Sequence, residues 1–440
     1  MNKFQTLNKK TVEEKLKKHE VQNLDLISIR ELVHIVNELE EECGIKFIRM
    51  EMGVPGLSPH PTGIEAEIKA IRDGLASKYP MIDGIKDLKS EASRFLKLFL
   101  NTEIPPEYCI PTVGSMQGSF ASFLTVCRKN PEQNKVLFIA PGFPVQRGQL
   151  NVLGIESRWF DIFQYRGEKL ENKLEELLSP GDISAVVYST PNNPTWICLS
   201  EHELKIIAEV TKKYNVTVIE DLAYFGMDFR KDYSKPGQPP YPPSITSYSD
   251  DYILLLSSSK IFSYAGQRIA FMAVSPKLFK QRFPNLRKYF TSDIFGKALV
   301  YSALYTLSAG TSHSAQYAFA ALLRAVNNGE INFLEPLKEY AKRAATAKKL
   351  FLENGFHILY DKDEDCEVGH GFYFTISYPS LNSEELMKAL LAVGISAVSL
   401  TIAGSLLQKG LRACVSQIHE EDMPELEARL KKFKKNINKN

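Results

Sequence analysis

Cysteine is scarce. The 440-residue chain has six, Cys43, Cys109, Cys127, Cys198, Cys366 and Cys414, and no two stand in C-x-x-C spacing. That excludes a disulfide scaffold and a zinc ribbon, and it implies free thiols in a cytoplasmic protein. Histidine is almost as rare, with eight residues and no ligand spacing. His60 stands between Pro59 and Pro61, which reads as a loop, so no metal is expected. Charge of one sign is missing too: 54 Lys+Arg against 52 Asp+Glu leave a formal +2. The one basic run, Lys431–Lys439, reads as a charged helix end, so no nucleic-acid partner is expected. No apolar run approaches the roughly 18 residues of a membrane span. The start, MNKFQTLNKKTVEEKLKKHE, is polar and lacks the apolar stretch of a signal peptide.

What remains is ordinary globular composition, 44% hydrophobic and 24% charged, with ample material for a core. Short apolar, β-branched runs recur at Lys135–Ala140, Ala185–Ser189, Asn215–Glu220, Tyr252–Ser257 and Ile269–Val274. Helix-like segments lie between several of them. One is Glu201–Lys213, opened by Ser200 with Glu203 completing a capping box. Buried strands alternating with helices predict an α/β fold with a mostly parallel central sheet flanked by helices. Ligands in such sheets sit at the carboxyl ends of the strands.

The flanks differ. Ile27–Cys43 repeats apolar residues at helical spacing. Pro336–Asn354 reads as a helix, Phe372–Ile376 and Ala397–Thr401 as strands, and Pro424–Lys434 as a helix. These predict a small α+β domain made from both chain ends: an arm and part of that domain in residues 1–55, a large domain in 56–325, and the rest of the small domain in 326–440. Arg230–Ser249, with QPPYPP inside it, is predicted to be a loop.

Four motifs carry possible chemistry. Ser257-Ser258-Ser259-Lys260 follows the strand LLL, and Gly266 and Arg268 come soon after. A lysine at a strand end is usually a solvated surface residue. Hydroxyls and a guanidinium together suit a phosphate dianion, however, and a lysine beside a phosphate is what a covalently held aldehyde cofactor needs. Glu220-Asp221-Leu222-Ala223-Tyr224 follows another strand; the acid either caps the next turn or holds a pyridine nitrogen protonated. Pro191-Asn192-Asn193-Pro194-Thr195 reads as a turn or as an amide that donates to a phenolic oxygen. Thr112-Val113-Gly114-Ser115-Met116-Gln117-Gly118 enters an apolar helix, and such helix starts bind anions.

In this order the motifs resemble the class I/II aminotransferases, a family of fold-type I pyridoxal 5'-phosphate (PLP) enzymes. The likeness runs from about Gly53 to Arg412. It implies that Lys260 holds PLP covalently, with Lys260, Asp221 and Tyr224 as the catalytic set. It implies a cofactor site of Gly114, Ser115, Met116, Phe143, Asn193, Asp221, Tyr224, Ser257, Lys260 and Arg268, with Tyr79 reaching from the neighbouring subunit of a homodimer. Gly310-Thr311-Ser312 would contribute at that interface. Arg412, Gly53 and Asn193 would hold the substrate. The implied reaction moves an amino group from an L-amino acid to a 2-oxo acid by a ping-pong mechanism.

The family's asparagine-proline motif usually continues with glycine, and here the residue is Trp196. The same scaffold also serves carbon–sulfur β-lyases, and a non-catalytic PLP-binding regulator is a remoter alternative. Regulators of that kind carry a DNA-binding domain, whereas residues 1–50 offer one amphipathic helix and no helix-turn-helix. A dicarboxylate substrate would need a second cation, for which Arg282 and Arg287 are the candidates. With neither obviously placed, neutral or aromatic amino acids are expected.

Overall fold

The computed structural model describes residue 7, residues 9–407 and residues 409–438. The first residues of the polar start and Lys439 of the basic run lie outside them. A short strand, β1 (Ile48–Arg49), precedes a seven-stranded sheet. Its strands are β2 (Cys109–Val113), β3 (Lys135–Ala140), β4 (Ser157–Asp161), β5 (Ile183–Ser189), β6 (Thr217–Asp221), β7 (Tyr252–Ser257) and β8 (Ile269–Val274). The spatial order is β2-β8-β7-β6-β5-β3-β4, and β8 alone runs against its neighbours.

Strands β3, β7 and β8 coincide with the apolar runs of the sequence. They are buried on both faces, which is why they read as continuous rather than alternating. The two edge strands were not legible. β2 contains Pro111, which a ladder tolerates at an edge. β4, with the sequence SRWFD, is partly exposed and polar.

Helix Glu201–Lys213 has the expected box: the Glu203 amide donates to Ser200 Oγ at 3.2 Å, and the Ser200 amide donates to the Glu203 carboxylate at 3.0 Å. A second box, Ser28 with Glu31, opens helix Ile29–Cys43. Each such cap stabilises its helix by about 1 kcal/mol. Arg230–Ser249 is irregular apart from one 3-10 turn, Ile245–Ser247.

A second, smaller layer follows. Its strands are β9 (His357–Ile358), β10 (Lys362–Asp363), β11 (Cys366–Glu367), β12 (Tyr373–Ser377), β13 (Ile395–Ser396), β14 (Val398–Ser399) and β15 (Leu411–Cys414). β14-β15-β12-β9 form an antiparallel sheet, and β1 pairs in parallel with β13. β14 is shorter than the sequence suggests because Thr401–Ala403 turns into a 3-10 helix. One apolar core joins Leu32, Val36 and Leu39 from the N-terminal side to Phe374, Leu390 and Leu430 from the C-terminal side. Helix Lys338–Glu353 serves both layers: Tyr340 packs in the large core, Ala344 and Phe351 in the small one.

Candidate active site

Parallel neighbours end at the same edge of a sheet, and here three motif-bearing strands do so side by side. Ser189 at the end of β5 stands opposite Asp221 at the end of β6, and Asp221 stands opposite Leu255 of β7. β7 then leads through Ser257 into the short helix Ser258–Ile261, which carries Lys260. β2 runs parallel in direction to β7, so helix Gly114–Val126 starts at this edge too; Val113 pairs with Ile269, the residue after Arg268. Asn193, Asp221, Lys260, Arg268 and Gly114 thus converge although the sequence scatters them.

Lys260 is partly buried, and its ammonium donates to the carbonyl of Gly53. Phe372 lies under it, with the ring centroid 5.4 Å from Nζ. Burial brings its pKa down to about 8; Cys414 opposes this, and the positive charges of Arg412 and Arg268 add to it. Asp221 is buried and accepts hydrogen bonds from Gln146 Nε2 at 3.0 Å and from the Ala223 amide at 3.1 Å. No basic side chain pairs with it among the described residues. Burial therefore pushes its carboxyl up to about 6, against the two hydrogen bonds.

Arg412, on β15, is only 3% exposed, yet no carboxylate pairs with it among the described residues. Its Nη1 donates to Asn193 Oδ1 at 3.3 Å, Nη2 donates to the Glu51 carbonyl, and Nε has no partner. Its guanidinium lies over the Tyr373 ring, 4.8 Å from the centroid. A surface ion pair is the ordinary fate of a late arginine, and Arg412 is the opposite case.

The Tyr224 hydroxyl meets the Tyr373 hydroxyl at 2.6 Å. Burial raises its pKa well above the ordinary value, and Tyr373 adds to the effect. Gly114 sits at φ +65, a left-handed conformation that favours glycine, and the Arg268 guanidinium lies against it, 2.4 Å from where a Cβ would stand. The N-cap residue, Val113, has no side chain that can cap the helix, and its own amide donates to Gln117 Oε1 at 2.8 Å. Ser257 Oγ accepts from the Ser259 amide at 3.1 Å. Ser115, Met116 and Phe143 are partly exposed at the rim of this edge.

Tyr79 is not part of the cluster. It is 92% exposed. Its neighbour Pro80 lies against Gly310, where an added Cβ would meet Pro80 Cγ at 3.2 Å. Arg282 and Arg287 both pair with Asp293, at 3.0 and 3.2 Å, and are mostly exposed.

Sequence reading missed Tyr373, Gln146 and Phe372. Tyr373 packs against the Gly53 backbone, where an added Cβ would stand 1.9 Å from its hydroxyl. Trp196, where glycine was expected, keeps a left-handed backbone at φ +67. Its indole is fully buried, 5.4 Å centroid to centroid from Tyr224, in space left by Gly371.

Comparison with known proteins agrees with this geometry. The sequence model of aminotransferases of class I and II matches residues 46–430. The chain belongs to this family. An LL-diaminopimelate aminotransferase of Natranaerobius thermophilus is 26% identical over 349 residues, 78% of this chain and 82% of that protein. A probable aspartate aminotransferase of Methanocaldococcus jannaschii is 24% identical over 259 residues, 59% of this chain and 63% of its own length. Among solved structures, an alanine aminotransferase from Pyrococcus furiosus superposes with TM-score 0.74 at 21% identity, covering 96% of this chain and 99% of that one. An aminotransferase from Mycobacterium tuberculosis gives 0.75 at 18%, covering 93% and 96%. This aminotransferase therefore has the expected fold, a mostly parallel sheet flanked by helices with a separate small sheet domain.

Proposed function

We propose that this aminotransferase holds PLP on Lys260 and moves an amino group between an L-amino acid and a 2-oxo acid. The observation that carries the reading is three polar groups with unmet needs, two at the edge of the large sheet and one on the small sheet that faces it through Asn193. Among the described residues, Asp221 is a buried carboxylate without a cation, Arg412 is a buried guanidinium without a carboxylate, and helix Gly114–Val126 starts beside Arg268 with no cap from its N-cap side chain. A pyridinium, a substrate carboxylate and a phosphate meet these needs in turn.

In this reading Asp221 keeps the ring nitrogen protonated. Asn193 and Tyr224 serve the phenolic oxygen, and Phe143 stacks on the ring. The amides of Gly114–Met116, with Ser257 and Arg268, hold the phosphate. When bound, PLP supplies an electron sink for breaking a bond at the amino acid's α-carbon. Arg412 grips the substrate carboxylate, backed by Asn193 and the Glu51 carbonyl. Gly53 fixes Lys260 through its carbonyl. Once the substrate's amine has displaced it from the cofactor, the Lys260 amine, with its pKa lowered, would take the α-proton as general base and give it back as general acid. Two half-reactions at one site give ping-pong kinetics.

The relatives described above are named as aminotransferases, which favours amino transfer over β-elimination and over a purely regulatory role. Their names span aspartate, alanine and LL-diaminopimelate, so they choose no single substrate. A homodimer belongs to the same proposal. Tyr79, Met81, Tyr301 and Tyr305 are large and exposed, and Gly310 lies against Pro80, the residue after Tyr79. A cytoplasmic place in amino-acid metabolism fits six unpaired cysteines. No described helix is long and apolar enough to cross a membrane.

Borohydride reduction of the PLP-loaded protein, followed by peptide mass mapping, tests the assignment. The label is expected on the peptide that contains Lys260. A label on another lysine overturns it.

A further inference from the structure

An apolar cleft of about 620 Å³ opens beside the candidate site. One wall is helix Ile29–Cys43, through Ile29 and Val33; the other is Met116 and Phe143 of the large layer with Ile402 of the small one. Met52 and Gly53 lie along it. The same short segment touches both ends of the proposed chemistry: the Glu51 carbonyl accepts from Arg412, and the Gly53 carbonyl accepts from Lys260. A substrate with its carboxylate on Arg412 and its α-carbon by Lys260 therefore lies against this segment, with the cleft as the adjoining space for its side chain.

We infer that the cleft is the side-chain subsite and that the enzyme takes amino acids with a large apolar side chain, aromatic or long aliphatic. This rests on the aminotransferase reading and adds the substrate class. The lining supports the choice. Arg30 is its only charged member, and no acid lines it among the described residues. A side chain ending in an ammonium would lose water, gain no counter-charge and face a guanidinium. A methyl group would leave the cleft wet, whereas a phenyl or isobutyl group covers Val33, Ile402 and Phe143 and removes apolar surface from water. Arg30 is exposed, so its charge is screened by water and favours an acidic side chain only weakly. The other two cations weighed for a dicarboxylate, Arg282 and Arg287, are already paired with Asp293.

The test uses the PLP-loaded enzyme, wild type and Val33→Arg, with Ile402→Arg as a second variant from the opposite wall. Val33 and Ile402 are both partly exposed, so either replacement is compatible with folding. Conversion of the bound cofactor is followed with phenylalanine, leucine, methionine, alanine, aspartate and lysine. The apolar donors are expected to exceed alanine, aspartate and lysine in kcat/KM by about tenfold or more. The phenylalanine-to-alanine ratio should fall at least about tenfold in either variant. Binding of 3-phenylpropanoate, which has the carboxylate and ring but no amine, is measured by calorimetry and should weaken by a similar factor. A best donor that is small or charged, or 3-phenylpropanoate affinity that neither variant changes, overturns the inference. If no amino acid converts the cofactor, the aminotransferase reading fails, and the calorimetric comparison still decides the cleft.

Discussion

Arg412 Nη1 donates to Asn193 Oδ1 at 3.3 Å, so a residue of the small-domain sheet is aimed by a residue of the large-domain edge. The pair is separated by 219 positions in sequence, and it fixes a buried guanidinium that still lacks an anion. Lysine at 412 would keep the charge and lose the forked donor geometry. Arg412→Lys is expected to lower kcat/KM for the amino donor by roughly a hundredfold, on the order of 3 kcal/mol. The loss should appear mainly in KM. Steady-state kinetics with the best donor checks this, and an unchanged KM would place the carboxylate elsewhere.

Lys260 has a pKa of about 8 because burial penalises its ammonium, with Arg412 and Arg268 adding to the effect. Its neutral amine is the form that bonds an aldehyde. In protein freed of cofactor, the rate of PLP capture should rise through a midpoint near pH 8 and level off above it. An ordinary lysine would keep gaining rate toward about pH 10.4. Rapid-mixing absorbance over pH 6–10 distinguishes the two, since a continued rise past 9 would mean that Lys260 is solvated.

Glu220 is fully buried between Tyr188 and Ser244, and burial pushes it from its ordinary 4.5 up to about 7. The native state thus keeps a proton that the unfolded chain gives up between these values. A pKa raised on folding makes stability fall as pH climbs through that window. Asp221 acts with the same sign between 3.8 and about 6 when no cofactor is bound. Glu220→Gln should remove a decline on the order of 3 kcal/mol across pH 4.5–7. Thermal unfolding of both proteins at several pH values checks the difference, and equal slopes would contradict it.

Gly371 and Trp196 fit as a pair. A Cβ on Gly371 would stand 2.1 Å from the indole. Gly371→Ala is expected to cost about 2 kcal/mol or more in the wild type, through overpacking of a rigid ring. In a Trp196→Ala background the same change should cost under roughly 0.5 kcal/mol, since the ring is gone. Denaturant unfolding of the four proteins gives the coupling; additive effects would show that the two residues do not compete for one space.

Asp363 ties the β10–β11 hairpin to the large layer. It accepts from Arg230 Nη2 at 2.8 Å, Arg166 Nη1 at 3.2 Å and the Cys198 amide at 3.0 Å. Asp363→Ala leaves the half-buried Arg166 with Glu203 as its one carboxylate, and the exposed Arg230 with Asp228. A loss of roughly 3 kcal/mol in unfolding free energy is expected. Asp363→Asn should recover part of it by keeping the acceptor for the Cys198 amide.

Much of this architecture could be read from the chain because its buried strands are continuous apolar runs and its helix starts carry side-chain caps. β3, β7, β8 and helix Glu201–Lys213 fall where the pattern puts them. The edge strands escaped because an edge relaxes the pattern: Pro111 is allowed in β2, and polar residues in β4. The candidate site was legible where a residue ends or closely follows a strand, as Asp221, Asn193 and Lys260 do. Tyr373 and Gln146 were not, because each acts through a contact with a residue far away in sequence, Tyr224 and Asp221. Trp196 was legible as a departure but not in its consequence, since the room for its ring is made at Gly371.

The most direct measurement is the absorbance spectrum of the purified protein supplied with PLP, before and after an amino acid and then a 2-oxo acid. The account predicts a band near the visible–ultraviolet boundary that is absent in Lys260→Ala, bleached by the amino acid and restored by the 2-oxo acid. Pyruvate and ammonia released from a cystathionine-like substrate, with no bleaching by any amino acid, would make the enzyme a lyase. A spectrum with no band, or one that survives Lys260→Ala, would contradict the assignment of Lys260.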